Sequence, residues 1–261
     1  MKKRVVVCGL GTVGAPTASY LKRRGFEVYG YDIKPAKLPG IRVYTDYDDV
    51  PPVETVVVTV WTGWRNNRPD LDAISDVCKK AAAKDRETLI CIESTVPPGT
   101  CTKLAGTHHF RHLVHVPHRY WPSNPSRYGV KQKRVIGGVT PESLVMGLGF
   151  YKALRIPLHV CPSVEVAELC KIAENADRYV QIAYAQELRR ICEEIGVEIK
   201  AVREACNTKW NVNLLDPRDG IKGDCLPLSV QLLRSLSPKS LPFLEGALVS
   251  NEEYISQFSG R

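Results

Sequence analysis

Short apolar runs alternate with amphipathic stretches over residues 1–161, which predicts an α/β fold with a doubly wound parallel sheet; residues 162–261 predict an all-α second domain. Three observations carry this. Val5-Val6-Val7-Cys8 is a continuous apolar run of the kind buried on both faces of a parallel sheet, and it enters a glycine turn and then a helical pattern. Further apolar runs recur after helical stretches, so right-handed crossovers are expected. Over residues 163–195 the pattern becomes one long helix, with Val166, Leu169, Ala173, Ala176, Val180, Ala183, Tyr184, Leu188, Ile191 and Ile195 at spacings of mostly three and four. At about 1.5 Å per residue that helix spans roughly 45 Å, the width of a domain, so it can serve two neighbours.

The first turn is Gly9-Leu10-Gly11-Thr12-Val13-Gly14, a G-x-G-x-x-G match lying between a strand and a helix that runs to Gly25. Gly9 permits the tight turn, Gly11 lets backbone approach a pyrophosphate, and Gly14 lets the helix pack on the strand. The helix N-terminus offers free N–H groups to phosphates. Residues 27–31 form the next strand, and Asp32 at its end is placed to accept ribose hydroxyls. This is a Rossmann-type dinucleotide turn, and Asp32 favours NAD over NADP, with Lys34 nearby acting against that preference.

Residues 54–60 read as a strand, 69–83 as a helix, and 88–92 as a strand. Two hydroxyl-bearing loops leave the strand ends, Trp61-Thr62-Gly63 and residues 93–100, and they make Thr62 and Thr95 candidate nicotinamide or ribose contacts. His108, His109, His112, His115 and His118 invite a metal reading, but residues three apart on a strand face opposite ways, so no metal site is expected. His115 reads as a hydrogen-bonded core residue. A strand at 134–138, a helix from Pro141 to Leu154 and a strand at 156–160 complete the sheet.

Beside its apolar seam the long helix carries Glu168, Lys171, Asn175 and Arg178, a stripe that reads either as a solvated, ion-paired flank or as a ligand-facing surface. After Gly196 comes a helix near 201–206, then a loop rich in proline and glycine over 216–227, and a last helix at 241–254. Cys225 lies in that loop, flanked by glycine and with Lys222 nearby to favour a thiolate. The other cysteines mostly sit in apolar runs and read as reduced core thiols. A hydrophobic share of 44% excludes a disordered chain, and no apolar run approaches the length of a membrane span, so a cytoplasmic protein is expected. The net charge of +8 suits a nucleotide-type small ligand, because the basic residues are scattered and no nucleic-acid motif accompanies them.

The ordered motifs Gly-Leu-Gly-Thr-Val-Gly, Glu-Ser-Thr-Val-Pro-Pro-Gly-Thr, His115-Val-Pro-His-Arg-Tyr-Trp-Pro122, Arg134-Val-Ile-Gly-Gly138, Ala167-Glu-Leu-Cys-Lys-Ile-Ala-Glu-Asn175 and Gly223-Asp-Cys-Leu-Pro227 resemble the UDP-glucose/GDP-mannose dehydrogenases over residues 4–254. The resemblance is greatest to the branch acting on UDP-N-acetylmannosamine or UDP-N-acetylglucosamine. It implies NAD-dependent oxidation of a sugar C6 alcohol to the carboxylate through a cysteine thioester. Cys225 would be the nucleophile, Lys171 the acid/base or oxyanion stabiliser, Asn175 its partner, and Thr95 a further catalytic and cofactor contact. Arg119, Tyr120, Lys171, Asn175 and Arg178 would hold the substrate; Gly9, Leu10, Gly11, Thr12, Val13, Gly14, Asp32, Thr62 and Thr95 would hold NAD. The helix 163–195 would form a homodimer.

Several positions depart from the family. Its Pro-Glu-Arg is here Pro117-His118-Arg119; Ser229 stands four residues after the cysteine where an aspartate is usual; Asp224 replaces a histidine and Lys222 a glycine. The family's third, nucleotide-sugar-binding domain is not within the sequence, and a separate chain supplying it is one expectation. Two other readings stay open: a degenerate, non-catalytic NAD-binding dimer, and an NAD-dependent dehydrogenase of a smaller hydroxy acid. The latter needs no cysteine.

Overall fold

The computed structural model describes residues 3–258. In chain order the elements are β1 (Arg4–Cys8), α1 (Gly14–Arg23), β2 (Glu27–Tyr31), β3 (Arg42–Tyr44), β4 (Thr55–Val58), β5 (Gly63–Arg65), β6 (Arg68–Asp70), α2 (Asp72–Lys84), β7 (Leu89–Ile92), α3 (Thr100–His108), β8 (Leu113–His115), β9 (Arg134–Gly138), α4 (Pro141–Ala153), β10 (Leu158–Val160), α5 (Val164–Glu194), α6 (Ile199–Cys206), α7 (Cys225–Ser235) and α8 (Pro242–Phe258). They form two compact units that divide between Lys171 and Ile172, inside α5.

The first unit is the expected doubly wound α/β layer. Its sheet runs β10-β9-β8-β7-β4-β1-β2-β3, with every neighbouring pair parallel except β8 and β9. The 116–133 connection holds no helix, so β9 returns antiparallel; α4 then provides the crossover that sets β10 parallel to β9. The period of two in β1 sends Val5 and Val7 to one face with Leu21 of α1 and Phe150 of α4, and Val6 and Cys8 to the other with Ile74 of α2 and Leu104 of α3. Both faces are covered, which is why the strands read as unbroken apolar runs.

In the second unit Ala176, Tyr179, Ile182 and Ala183 of α5 pack with Ile221, Val230 and Ala247. Gln186 and Asn251 lock this core: Gln186 Nε2 donates to Asn251 Oδ1 at 3.1 Å, and the same oxygen accepts from Ile221 N at 2.7 Å. The predicted seam of α5 is split. Ala176 and Ala183 are buried, while Val166, Leu169, Tyr184, Ile191 and Ile195 are exposed in the single chain.

Four local expectations are corrected. The helix predicted from residue 69 starts at Asp72, because Gly63–Arg65 and Arg68–Asp70 pair as an antiparallel hairpin across Asn66 and Asn67, both at positive φ. Residues 100–108, left unassigned by periodicity, form α3. Cys225 is not in the loop but is the first residue of α7. His115 is fully buried as expected, but neither ring nitrogen meets a hydrogen-bond partner, which corrects the hydrogen-bonded reading; burial pushes its imidazole down to about 3, so the ring is neutral.

Candidate functional site

The parallel strands β1, β2, β4 and β7 end on one edge, and the candidate cofactor residues follow those ends. Gly9 has φ of +87°, and a Cβ there would approach the Val60 backbone to 2.8 Å. A Cβ at Gly14 would collide with the Gly9 carbonyl oxygen, whereas one at Gly11 would meet nothing within 4 Å. The first and third glycines therefore serve packing, and the second leaves room for a ligand. No side chain caps the N-terminus of α1, where Val13 occupies the cap position and Thr12 is exposed. Asp32 follows β2 directly; its Oδ2 accepts from Leu10 N at 2.6 Å and its Oδ1 from Lys34 N at 2.9 Å. A carboxylate has about four acceptor positions, so lone pairs remain for ribose hydroxyls. Thr62 and Thr95, both half-buried, follow the paired strands β4 and β7, and Ser94 Oγ ties the two loop bases by donating to Val60 O at 2.7 Å. This set fits a dinucleotide.

Behind that edge lies a buried charged cluster that sequence reasoning missed, although Glu93 opens a quoted motif. Glu93 Oε1 accepts from the Tyr151 hydroxyl at 2.6 Å and lies 2.9 Å from Arg134 Nη1. Its Oε2 lies 2.6 Å from His118 Nε2, which also meets Thr17 Oγ1 at 3.0 Å. Burial alone would raise the Glu93 carboxyl, but the charge of Arg134, then His118 and Tyr151, hold it down to about 2. Burial and the Arg134 guanidinium push His118 down to about 4, against the pull of Glu93. At neutral pH an ionised carboxylate therefore faces a neutral imidazole. The cluster joins α1, β9, α4 and the end of β7 to the segment carrying Arg119 and Tyr120, which are half-buried just past β8; Arg119 Nη1 donates to Lys133 O at 2.8 Å.

Glu168, on the first turns of α5, is fully buried and accepts from Gly99 N and Cys101 N, each at 2.7 Å. It caps α3, which has no cap of its own, and so anchors the 94–100 loop that carries Thr95. This replaces the flank or ligand-facing reading of that residue. Lys171 follows one turn later and is half-buried, and its charge adds to the lowering of His118.

In the second unit Asn175 Nδ2 donates to Ser229 Oγ at 2.9 Å, and Ser229 Oγ donates to Cys225 O at 2.8 Å. An amide on α5 is thereby tied to the turn that begins with Cys225. Cys225 is the exposed cysteine of the nine; six are buried, and Cys170 and Cys206 are half-covered. Arg178 is exposed, and after burial its charge is the next cause lowering the Arg218 guanidinium, so two cations share this surface. Among the described residues no group of three or more His, Cys, Asp or Glu is placed to hold a metal ion.

Residues 165–253 match the model of the UDP-glucose/GDP-mannose dehydrogenase family, central domain. Residues 165–253 therefore carry a domain of this family. An NDP-N-acetyl-D-galactosaminuronic acid dehydrogenase of Ralstonia nicotianae is 28% identical over 96% of this chain and 69% of its own. A UDP-D-ManNAc dehydrogenase from Pyrococcus horikoshii has the same fold at a TM-score of 0.89 and 27% identity, covering 98% of this chain and 70% of that one. A Mycobacterium tuberculosis 3-hydroxyisobutyrate dehydrogenase shares the fold alone, at a TM-score of 0.72 and 14% identity, covering 99% of this chain and 95% of that one. The family and its Rossmann fold imply a nicotinamide cofactor. No helix among the described residues is long and apolar enough to cross a membrane.

Proposed function

We propose that the protein oxidises the C6 alcohol of a nucleotide sugar, a UDP-sugar, to the carboxylate with NAD, through a thioester on Cys225. Residues 1–161 serve as the NAD-binding domain and 162–261 as a helical dimerisation domain. The observation that carries the reading is the tie from Asn175 through Ser229 to the exposed Cys225 turn, in a chain whose glycine turn fits a dinucleotide. NAD, held by Gly9 to Gly14, Asp32, Thr62 and Thr95, supplies the hydride acceptor. Lys171 takes the alcohol proton and then stabilises the oxyanion formed when Cys225 Sγ adds to the aldehyde carbon. Asn175 assists it, and Arg119, Tyr120 and Arg178 hold the anionic substrate. Loss of a second hydride leaves the thioester, and water releases the acid and restores the thiol. The exposed Val166, Leu169, Tyr184 and Ile191 of α5, with Ile195 just past its end, support a homodimer through this helix.

The test is NADH formation with a panel of UDP- and GDP-sugars. Two NADH per sugar, lost in Cys225→Ser and in Lys171→Ala, is expected. Full activity in Cys225→Ser would sink the covalent mechanism and favour a smaller hydroxy acid as substrate. A second reading, a non-catalytic NAD-binding dimer, is favoured by His118 being buried against Glu93 where the family has a carboxylate; NAD binding without turnover on any sugar would select it.

A further inference from the structure

A cavity of about 510 Å³ in the first unit is used by none of the chemistry above except at Tyr120. One wall is α1, with Pro16, Ser19, Tyr20 and Arg23; the other is the 120–132 segment, with Tyr120, Ser126, Arg127, Lys131 and Gln132. Its volume falls within the roughly 300–1,000 Å³ of small-molecule sites. Three cations line it, and no carboxylate does. The sequence makes this a property of whole segments: neither 1–26 nor 94–141 contains a single aspartate or glutamate. A concave, carboxylate-free surface of one sign focuses its field on a polyanion.

The walls are ordered by their own contacts. The Tyr20 hydroxyl donates to Leu154 O at 2.6 Å, and the Arg23 guanidinium lies 5.9 Å from the Tyr20 ring centroid. Trp121 N donates to Tyr128 O at 2.9 Å, and Arg127 sits 5.1 Å from the Tyr128 ring. Gln132 Nε2 donates to Arg119 O at 2.5 Å and Gly129 O at 3.3 Å, which closes the segment on itself. Tyr20 and Tyr120 are half-buried, so an apolar ring surface lies beside the exposed cations at the rim. Cations at the mouth and phenol rings within match a ligand that joins phosphates to a planar ring.

We propose that this cavity binds a nucleoside diphosphate, its phosphates on Arg23, Arg127 and Lys131 and its base against Tyr20 and Tyr120, at a site separate from the glycine turn and from Cys225. The inference does not depend on the dehydrogenase reading. It is tested by calorimetric titration of the full chain with UDP, ADP and inorganic pyrophosphate at two salt concentrations. Saturable, salt-weakened UDP or ADP binding is expected, at least tenfold weaker in Arg127→Ala/Lys131→Ala and in Ser19→Trp, which fills the cavity. The same binding should survive in Gly11→Val, which blocks the cofactor turn, and in Cys225→Ser. No saturable nucleotide binding, or binding unaffected by both cavity variants, would overturn the site. Pyrophosphate binding as tightly as UDP and ADP would overturn the nucleoside assignment.

Discussion

Glu168 offers the sharpest test of how the candidate site is held. Its carboxylate receives the N–H groups of Gly99 and Cys101, both at 2.7 Å, from a fully buried position. Hydrogen bonds to a charged group contribute about 1.5–3 kcal/mol each, and a buried donor left without a partner costs about 1–3 kcal/mol. Glu168→Ala removes two such bonds and leaves two N–H groups facing a void, so a loss of about 3–5 kcal/mol is expected at this contact. Glu168→Gln keeps one acceptor oxygen but turns amide hydrogens toward the other donor, and should lose about half as much. The assay is native-state hydrogen exchange at the Gly99 and Cys101 amides, where 3–5 kcal/mol is an acceleration on the order of 10²- to 10⁴-fold, alongside urea unfolding. Because the same loop carries Thr95, dinucleotide affinity should fall with it. An acceleration below about tenfold in Glu168→Ala would refute the capping argument.

Further expectations concern the turn, the charged cluster and acid. Gly14→Ala forces a methyl group against the Gly9 carbonyl and should lower the melting temperature, while Gly11→Val, with open space at its Cβ, should keep the melting temperature and lose dinucleotide binding. Equal effects in both assays would contradict the separate roles of the two glycines. Glu93→Gln leaves the Arg134 charge buried without its counter-ion and should cost about 3–5 kcal/mol in chemical denaturation, far more than Tyr151→Phe. With His118 lowered to about 4 and His115 to about 3, the unfolded chain binds more protons than the folded one below the ordinary histidine value of 6.5. Stability should therefore be fully present above about 6.5 and fall as pH drops toward 4; Glu93, depressed to about 2, adds a further loss below its ordinary 4.5. A flat unfolding free energy between pH 6.5 and 4 would contradict these assignments.

The sequence made legible what local physics dictates. β1, the glycine turn, α1, β2 and Asp32 are contiguous, so the strand-turn-helix geometry could be read almost residue by residue. What could not be read depends on partners distant in the chain. α3 is short and has no local cap, and the group that stabilises its start, Glu168, lies 67 residues after Cys101. The β5-β6 hairpin does leave a signal, because Asn66-Asn67 is the kind of pair that accepts positive φ in a two-residue turn, but Pro69 and the acids Asp70 and Asp72 after it also read as a helix start. Glu93 and Arg134 sit inside apolar strand patterns as isolated charges, and only the register of β7, β8 and β9 shows that they neutralise one another. The long helix was legible as a helix, but its seam was not one surface: 3.6-residue periodicity cannot separate a face packed on its own chain from one left exposed.

Two of the four departures from the family pattern, His118 and Ser229, bear on one half of the proposed chemistry. His118 is buried and neutral against Glu93 and Thr17, and Ser229 uses its hydroxyl between Asn175 and the Cys225 carbonyl. Neither offers a carboxylate to activate water, whereas Lys171, Asn175 and Cys225, which the two proposed oxidation steps would use, are all retained. A general base is worth about 10²- to 10⁴-fold, so hydrolysis of the thioester, not hydride transfer, should limit turnover. On that argument a stopped-flow trace with a turned-over sugar shows a burst of two NADH per Cys225, one for each oxidation, followed by a slow steady state. Hydroxylamine, which attacks a thioester without needing a base, should raise the steady rate and leave the burst unchanged; Ser229→Asp should raise it without hydroxylamine. A linear trace with no burst, indifferent to hydroxylamine, would place the slow step before the thioester and remove the role assigned to these two positions.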